Sequence, residues 1–419
     1  MVRGVVPLRL RADQAGISLV ETLVALVLGL AMVSVAFNLY VSNRGVFRQI
    51  EAMVRLQESA SIAAALLETS IRHAGGTLCR DNPPTTILLD VVGDFPGTTP
   101  TYEYSPPYAF WQESMDSGTA QVGVQGYEST STDTIVGEDR KAGDSISLFS
   151  DNMGAVARVT GRATHSSADN GQTGTYNFPV DNGLEFPVGT VAMACDQVRA
   201  VLFQVNESTM STIKLQSGTG APALVPGNCS VAMRRLKNSK SPEFVDVLDG
   251  GHSCTTDLVT IGGAQIRRIA MYTFGPGSMI GEHTFEHWYI GRKTGTTDGL
   301  SLFRRRMVNA SGTIGLGAAE EIAQDVTDMQ ITYLRGQLST GYPALPSPPS
   351  WRYYTAYEIK TGSGYYAPGW GGVLAVRIVL TLTSPERVGL AAAGAASAVT
   401  YTIPINVAIR DRMPGVVRR

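Results

Sequence analysis

A run of apolar residues near the N-terminus constrains this chain more than any other feature. From Thr22 to Asn43 the sequence contains no Asp, Glu, Lys or Arg. About 20 apolar residues in one helix span the hydrocarbon core of a bilayer, so the run predicts a single membrane-crossing helix. Arg3, Arg9 and Arg11 precede it with only one acid, Asp13. Because a basic flank stays on the cytoplasmic side, the rest of the chain is expected to be exported.

A cleaved signal peptide is the obvious alternative to an anchor. Its apolar region is only about 7 to 15 residues long and ends in small residues, whereas here the run is longer and the small residue, Gly16, comes before it. Glu21 lies at the mouth of the run, where a carboxylate is costly and commonly marks a function. On position alone, Glu21 could equally reach the headgroups at the helix end.

The segment from Gly16 to Glu21 (GISLVE) follows a short basic leader and precedes the uncharged helix. It resembles the class III signal of type IV prepilins. The resemblance implies that prepilin peptidase removes residues 1–16 by cutting between Gly16 and Ile17, that Ile17 is N-methylated, and that Glu21 is the carboxylate used in assembly. Glycine leaves the backbone unobstructed in a protease cleft. A buried Glu21 would gain by pairing with the free amine of a neighbouring mature chain.

The helix is expected to continue well beyond the membrane. No proline interrupts residues 17–73, apolar residues recur at approximately helical spacing, and Gly75-Gly76 is a natural stop. We therefore predict a helix over residues 17–75, of which 17–43 lie in the membrane or in a filament core. Residues 76–419 form a β-rich exported head. The fold class is α+β, with the long helix packed on a mostly antiparallel sheet that carries large loops, as in type IV pilins.

Short apolar runs separated by turn-forming residues predict the strands of the head. A short helix is also predicted at Ala318 to Val326, because Glu320 and Glu321 would lie in its first turn. The predicted strands are Ser145 to Phe149, Thr190 to Cys195, Val198 to Asn206, Arg267 to Phe274, His287 to Ile290, Leu300 to Arg305, Met329 to Arg335, Val373 to Thr383 and Val399 to Ile409.

Several segments of the head resemble the PilW family of type IV pilus minor pilins: IRHAGGTLC, VAMACDQVRAVLFQV, GLSLFRRR, AAEEIAQDVTDMQITYLRG, VRIVLTL and a closing IRDR. The first departs from the family pattern, because it lacks the Tyr and the Gly beside Cys79. The resemblance implies a non-enzymatic subunit without cofactors that is stored in the inner membrane and primes assembly at or near the pilus tip. The implied partners are the major pilin, minor pilins of the PilV, PilX, PilE and FimT/U types, and a PilY-type tip adhesin. Twitching motility and adhesion would follow from the filament.

Two alternatives remain for the function. The first is a GspJ-like pseudopilin of type II secretion, which shares the signal. Proteins of that type are near half the length of this chain, which has 419 residues. A GDSL-type surface hydrolase would use Ser145 in the string Gly143-Asp144-Ser145-Ile146-Ser147, with Asp249 and His252 as a D-x-x-H pair. Such a nucleophile needs a base within reach and an oxyanion hole. The alternating pattern around Ser145 is also that of a half-buried strand.

Four cysteines lie on the exported side: Cys79, Cys195, Cys229 and Cys254. An even number in an oxidising compartment predicts two disulfides, for which three connectivities exist. We favour Cys79 with Cys195, which would tie the helix exit to the sheet, and Cys229 with Cys254, which would close a local loop. A metal site is not expected, because no C-x-x-C spacing is present.

Two other patterns suggest ligands. His283 to His287 (HTFEH) matches a zinc-binding H-x-x-E-H string, but the string runs into WYI, which favours a strand with both histidines on a solvent-facing edge. The arginine clusters at 234–235, 267–268 and 304–306 are expected to be solvated faces. With a net charge of -2 and charged residues at only 17%, no global positive field exists, so no nucleic-acid partner is expected.

Overall fold

The computed structural model describes residues 18–75, 78, 87–90, 123–133, 135–168, 173–196, 199–217, 224–225, 227–228, 236–237, 244–245, 258–261, 264–267, 273–335, 351–361, 370, 373–388 and 397–409. The helices are α1 (Leu19–His73) and α2 (Ala356–Thr361). The strands are β1 (Ile87–Asp90), β2 (Val124–Tyr127), β3 (Ala142–Arg158), β4 (Thr164–Ala168), β5 (Thr173–Pro179), β6 (Val191–Cys195), β7 (Arg199–Gln204), β8 (Glu207–Thr209), β9 (Thr212–Ser217), β10 (Leu236–Lys237), β11 (Phe244–Val245), β12 (Leu258–Ile261), β13 (Ala264–Arg267), β14 (Met279–Arg292), β15 (Leu300–Ala310), β16 (Thr313–Leu316), β17 (Glu320–Gln324), β18 (Val326–Arg335), β19 (Arg352–Tyr354), β20 (Val373–Val388) and β21 (Ser397–Ala408).

The chain divides into two compact units. Residues 1–55 and 386–399 form the first, and residues 56–385 and 400–419 form the second. In the first unit, α1 presents its large apolar side chains to the surroundings from Leu19 to Val41, and Val46, Phe47 and Ile50 are exposed as well. The second unit contains the remaining turns of α1 and most of the β-structure, which together make an α+β fold.

A nine-stranded sheet is the centre of the second unit. Its main path runs β1-β7-β6-β14-β15-β16, with β17 paired to β15, and with β3 paired to β14 and β2. Strand β1 is parallel to β7, and the other described pairings of this sheet are antiparallel. Strand β14 is interior over most of its length, because β3 pairs with residues 279–290 on one side, while β6 pairs with residues 279–282 and β15 with residues 286–292 on the other.

The second half of α1 packs through one face. Its buried side chains are spaced three or four residues apart, the period of a helix surface: Leu56, Ala60, Ala63, Leu67 and Ile71. The small alanines allow close approach to the neighbouring surface. Ser70 Oγ donates to Glu286 Oε2 of β14 at 2.6 Å, so the helix end is also hydrogen-bonded to the sheet.

The chain leaves α1 through a tight glycine contact. Gly75 has a φ of 72°, the left-handed conformation that commonly ends a helix. Its N–H donates to the carbonyl of Phe149 at 2.7 Å. A Cβ on Gly123 would lie 2.1 Å from the Gly75 Cα, so any side chain there would push the helix exit away from the sheet.

Two apolar cores flank the central sheet. One is built on β14 and its neighbours and includes Phe149, Met193, Cys195, Phe285 and Tyr289. The other joins β6 and β7 to a four-stranded sheet of order β4-β5-β9-β8. The second core is rich in aromatic side chains: Tyr176, Phe178, Phe186, Phe203 and Phe274.

A further four-stranded sheet has the order β19-β18-β20-β21. Strand β21 is its edge and includes Pro404, which is exposed and has no N–H to donate. Behind β18, the Tyr333 ring meets Trp370 edge-on, with centroids 4.9 Å apart. A Cβ on Gly126 would lie 1.9 Å from the Tyr333 hydroxyl, so β2 needs glycine at this position.

The helix predicted at Ala318 to Val326 is wrong, because residues 320–324 form strand β17. Pairing with β15 places Glu320 opposite Arg304, and Arg304 Nη2 contacts Glu320 Oε2 at 2.9 Å. The two acids therefore serve cross-strand contacts rather than a helix N-terminus. Asp325 then adopts a φ of 64°, a conformation that no helix interior allows.

Most of the other predicted strands lie within β3, β6, β7, β14, β15, β18, β20 and β21. The predicted strand Arg267 to Phe274 does not form as written. Arg267 ends β13, Thr273 and Phe274 are not in a strand, and residues 268–272 lie outside the described residues.

Candidate functional site

The N-terminal turns of α1 carry the predicted assembly carboxylate. The Glu21 N–H donates to the Ser18 carbonyl at 2.9 Å, which places Glu21 in the first turn of α1. A negative charge at this position interacts favourably with the helix dipole. Its side chain is exposed, as are the apolar side chains that follow it. Gly16 and Ile17, the predicted cleavage and methylation residues, lie outside the described residues.

One described helix, α1, is long and apolar enough to cross a membrane, a property that an N-terminal signal sequence shares. None of its most apolar window is buried within the protein. Exposure of so many large apolar side chains is unfavourable in water, since each loses roughly 1.5 to 3 kcal/mol relative to burial. This segment therefore requires a lipid or protein environment.

Cys195 is the last residue of β6. It is fully buried in the apolar core that β14 and its neighbours form. It is disulfide-bonded. Cys79, Cys229 and Cys254 lie outside the described residues, so the pairing remains a prediction.

Peptide mapping without reduction is expected to find two disulfides, with Cys195 linked to Cys79 and Cys229 linked to Cys254. A structural disulfide typically contributes about 2 to 4 kcal/mol, so Cys195→Ser should lower the melting temperature as well. Recovery of Cys195 as a free thiol from protein purified under oxidising conditions would contradict the prediction.

The histidine string lies on β14, as a strand, but its predicted solvent-facing edge is wrong. His283 is 2% exposed and His287 is fully buried, because both project from the same face of β14 as Phe285 and Tyr289, which lie in the apolar core. Each imidazole contacts a different carboxylate: His283 Nδ1 lies 3.0 Å from Asp151 Oδ1, and His287 Nε2 lies 3.0 Å from Asp133 Oδ2. Among the described residues no group of three His, Cys, Asp or Glu side chains could hold a metal ion.

Asp133 is the centre of a buried polar network, and no sequence pattern marked this residue. Its Oδ1 accepts from the Ile135 N–H at 2.9 Å, and Ser145 Oγ donates to its Oδ2. Burial alone would raise the pKa of Asp133, but the charge and hydrogen bond of His287, with the bonds from Ser145 and Ile135, lower it to about 2. Asp133 is therefore ionised at neutral pH and links the backbone of Ile135 and Val136 to Ser145 of β3.

The serine block lies on β3 as a strand, which supports the strand interpretation of its alternating pattern. Ser145 and Ser147 are both fully buried. Ser147 Oγ lies 2.9 Å from His287 Nδ1, so Ser147, His287 and Asp133 form a hydrogen-bonded line. No member of this line has solvent access through which a substrate could reach it. Asp249 and His252 lie outside the described residues.

The Asp151 and His283 pair differs from its neighbour. Burial raises the pKa of Asp151, against the opposing hydrogen bond and charge of His283 and a hydrogen bond from the Leu78 backbone. Asp151 Oδ2 has no hydrogen-bond partner. The two histidines of β14 thus contact aspartates with similar geometry. The pKa of Asp133 is lowered, however, whereas the pKa of Asp151 is raised.

The arginine cluster on β15 is bound to carboxylates rather than freely solvated. Arg304 is largely buried and contacts Glu286 at 3.4 Å as well as Glu320, and its guanidinium lies 5.3 Å from the Trp288 ring centroid. Arg306 Nη2 contacts Glu320 at 2.6 Å. The prediction that the cluster at 304–306 is a solvated face is therefore wrong for Arg304. Of the other clusters, only Arg267 is among the described residues.

Comparison of the chain with family models, with curated proteins and with solved structures finds no match.

Proposed function

We propose that this chain is a minor pilin of the PilW type that primes type IV pilus assembly at or near the filament tip. The observation that carries the proposal is the combination found on α1. From Leu19 to Asn43 it exposes mostly apolar side chains and a single charged one, Glu21, while its later turns pack on a β-rich head. A subunit that leaves a membrane and enters a helical filament core needs both properties in one helix.

In this proposal the protein is stored as a single-pass inner-membrane protein, with the leader in the cytoplasm and the head in the periplasm. Prepilin peptidase removes residues 1–16, and Glu21 then pairs with the amine of a neighbouring subunit. The neighbours are the major pilin, minor pilins of the PilV, PilX, PilE and FimT/U types, and a PilY-type adhesin. The protein supports twitching motility and adhesion through the filament. The buried serines give no reason to propose hydrolysis.

Mass spectrometry of the mature protein tests this proposal. In cells that contain prepilin peptidase, the first residue should be N-methylated Ile17. In cells that lack the peptidase, the same chain should begin at its unprocessed leader and remain in the membrane fraction. A mature chain that retains the leader in peptidase-positive cells would contradict the proposal.

A further inference from the structure

A cleft of about 680 Å³ opens on the second unit, between the end of α1 and strands β3, β14 and β15. Its volume lies within the range of roughly 300 to 1,000 Å³ typical of ligand sites. The lining includes the apolar side chains of Leu148, Phe285 and Val308. Sites of this composition bind ligands that have both an apolar part and a polar group.

The charged side chains of the cleft are predominantly acidic. Asp151, Glu282, Glu286 and Glu320 line it together with one arginine, Arg306, and one histidine, His73. Glu286 and Glu320 are paired with arginines, and Asp151 is paired with His283. Glu282 accepts from the neutral amide of Asn152, at 2.9 Å. Among the described residues, the acid of the cleft without a cationic partner is therefore Glu282, where β3 meets the first half of β14.

Asp151 adds a second observation at the same end of the cleft. The residue is 5% exposed, its Oδ1 is occupied by His283, and its Oδ2 lacks a hydrogen-bond partner. A buried carboxylate oxygen without a donor is unfavourable. The Asp151 oxygen is enclosed, so a cation held in the cleft beside Glu282 would not touch it but would lower this cost by electrostatic attraction at short range.

The spacing of the acids argues against a metal ion. No three candidate ligands converge within the part of the chain that the structure describes. Carboxylates distributed along a cleft instead suit a ligand with several cations, and an extended polypeptide supplies side chains at intervals of about 3.3 Å per residue. Lysine and arginine also have apolar stems, which can pack on Met307 and Val308.

We propose that this cleft binds an extended basic segment of a partner protein, with a lysine or arginine head group beside Glu282 and Asp151. The site is independent of the pilin proposal, because it uses only the second unit. Recognition would be electrostatic at one end of the cleft and apolar along its walls. Because salt screens the electrostatic part, the affinity for the basic segment should fall as ionic strength rises.

Fluorescence anisotropy with labelled hexa-arginine tests the proposal on the full-length protein in nanodiscs. Wild type should bind the peptide saturably, and hexaglutamate should not compete. Glu282→Gln should weaken binding by about fivefold, the upper range for a partly exposed ion pair. Val308→Trp, which fills the cleft from its exposed wall, should remove binding without a change in circular dichroism.

Glu185→Gln is the matched control. Glu185 also accepts from an asparagine amide, Asn182 Nδ2, at 3.0 Å, but it does not line the cleft. Its replacement should leave binding unchanged. Equal binding by wild type, Glu282→Gln and Val308→Trp would overturn the proposal, as would the absence of saturable binding. Competition by spermine at the same concentration as by the unlabelled peptide would assign the cleft to polyamines and would equally overturn it.

Discussion

Replacing Asp133 with alanine should lower the free energy of unfolding by about 3 to 5 kcal/mol, the usual cost of breaking a buried charge pair. The carboxylate accepts from the Ile135 backbone, from Ser145 and from His287. Its removal leaves these donors without this acceptor at a buried position. Chemical denaturation of the wild type and the variant at neutral pH measures the difference. A loss below about 1 kcal/mol would show that Asp133 does not hold the network together.

The pH dependence of stability separates Asp133 from Asp151. The folded pKa of Asp133 is lowered to about 2 from 3.8, so its contribution of about 2 kcal/mol is present above pH 4 and is lost as the pH falls towards 2. The folded pKa of Asp151 is raised, so its carboxyl opposes folding increasingly as the pH rises above 4. Asp133→Asn should therefore lose its penalty in acid. Asp151→Asn should become relatively more stable as the pH rises.

Glu21→Ala should leave processing and membrane insertion intact but reduce incorporation into filaments by about tenfold or more. A lost interaction of about 1.4 kcal/mol suffices for that factor. In the proposed filament, the substitution would leave the amine of the neighbouring chain buried without its partner, which costs about 3 to 5 kcal/mol. Immunoblotting of sheared filaments against the membrane fraction gives the ratio directly.

Glu51→Ala provides the comparison on the same helix. Glu51 is exposed and pairs with Arg55 at 2.7 Å, and such surface pairs contribute little. Incorporation of this variant should match wild type. If Glu21→Ala were also incorporated normally, the assembly role of Glu21 would be refuted.

The helix and most strands of the central sheet could be predicted from the sequence because local periodicity determines them. Strand β17 could not, because Glu320 and Glu321 favour a helix start when only neighbours along the chain are considered. What decides their conformation is Arg304 on the adjacent strand. Pairing with the adjacent strand thus overrides the local helix preference of these two residues.

The buried networks on β14 were beyond sequence reasoning for a similar cause. His287 contacts Asp133 although 154 positions separate them along the chain. Neither residue lies in a sequence pattern that predicts this contact. The adjoining WYI run did indicate a strand, on which imidazoles four residues apart cannot share one ligand. The burial of both histidines follows from the packing of their face of β14, with Phe285 and Tyr289, in the apolar core, which local sequence does not specify.

Pro404 has a consequence for the sheet margin that β21 forms among the described strands. An open sheet margin recruits strands from other molecules. Proline has no N–H, and prolines in sheets are found on edge strands with this position facing solvent, so a strand from a second molecule would lack one hydrogen-bond donor here. Pro404→Val should therefore make the purified protein precipitate at lower concentration.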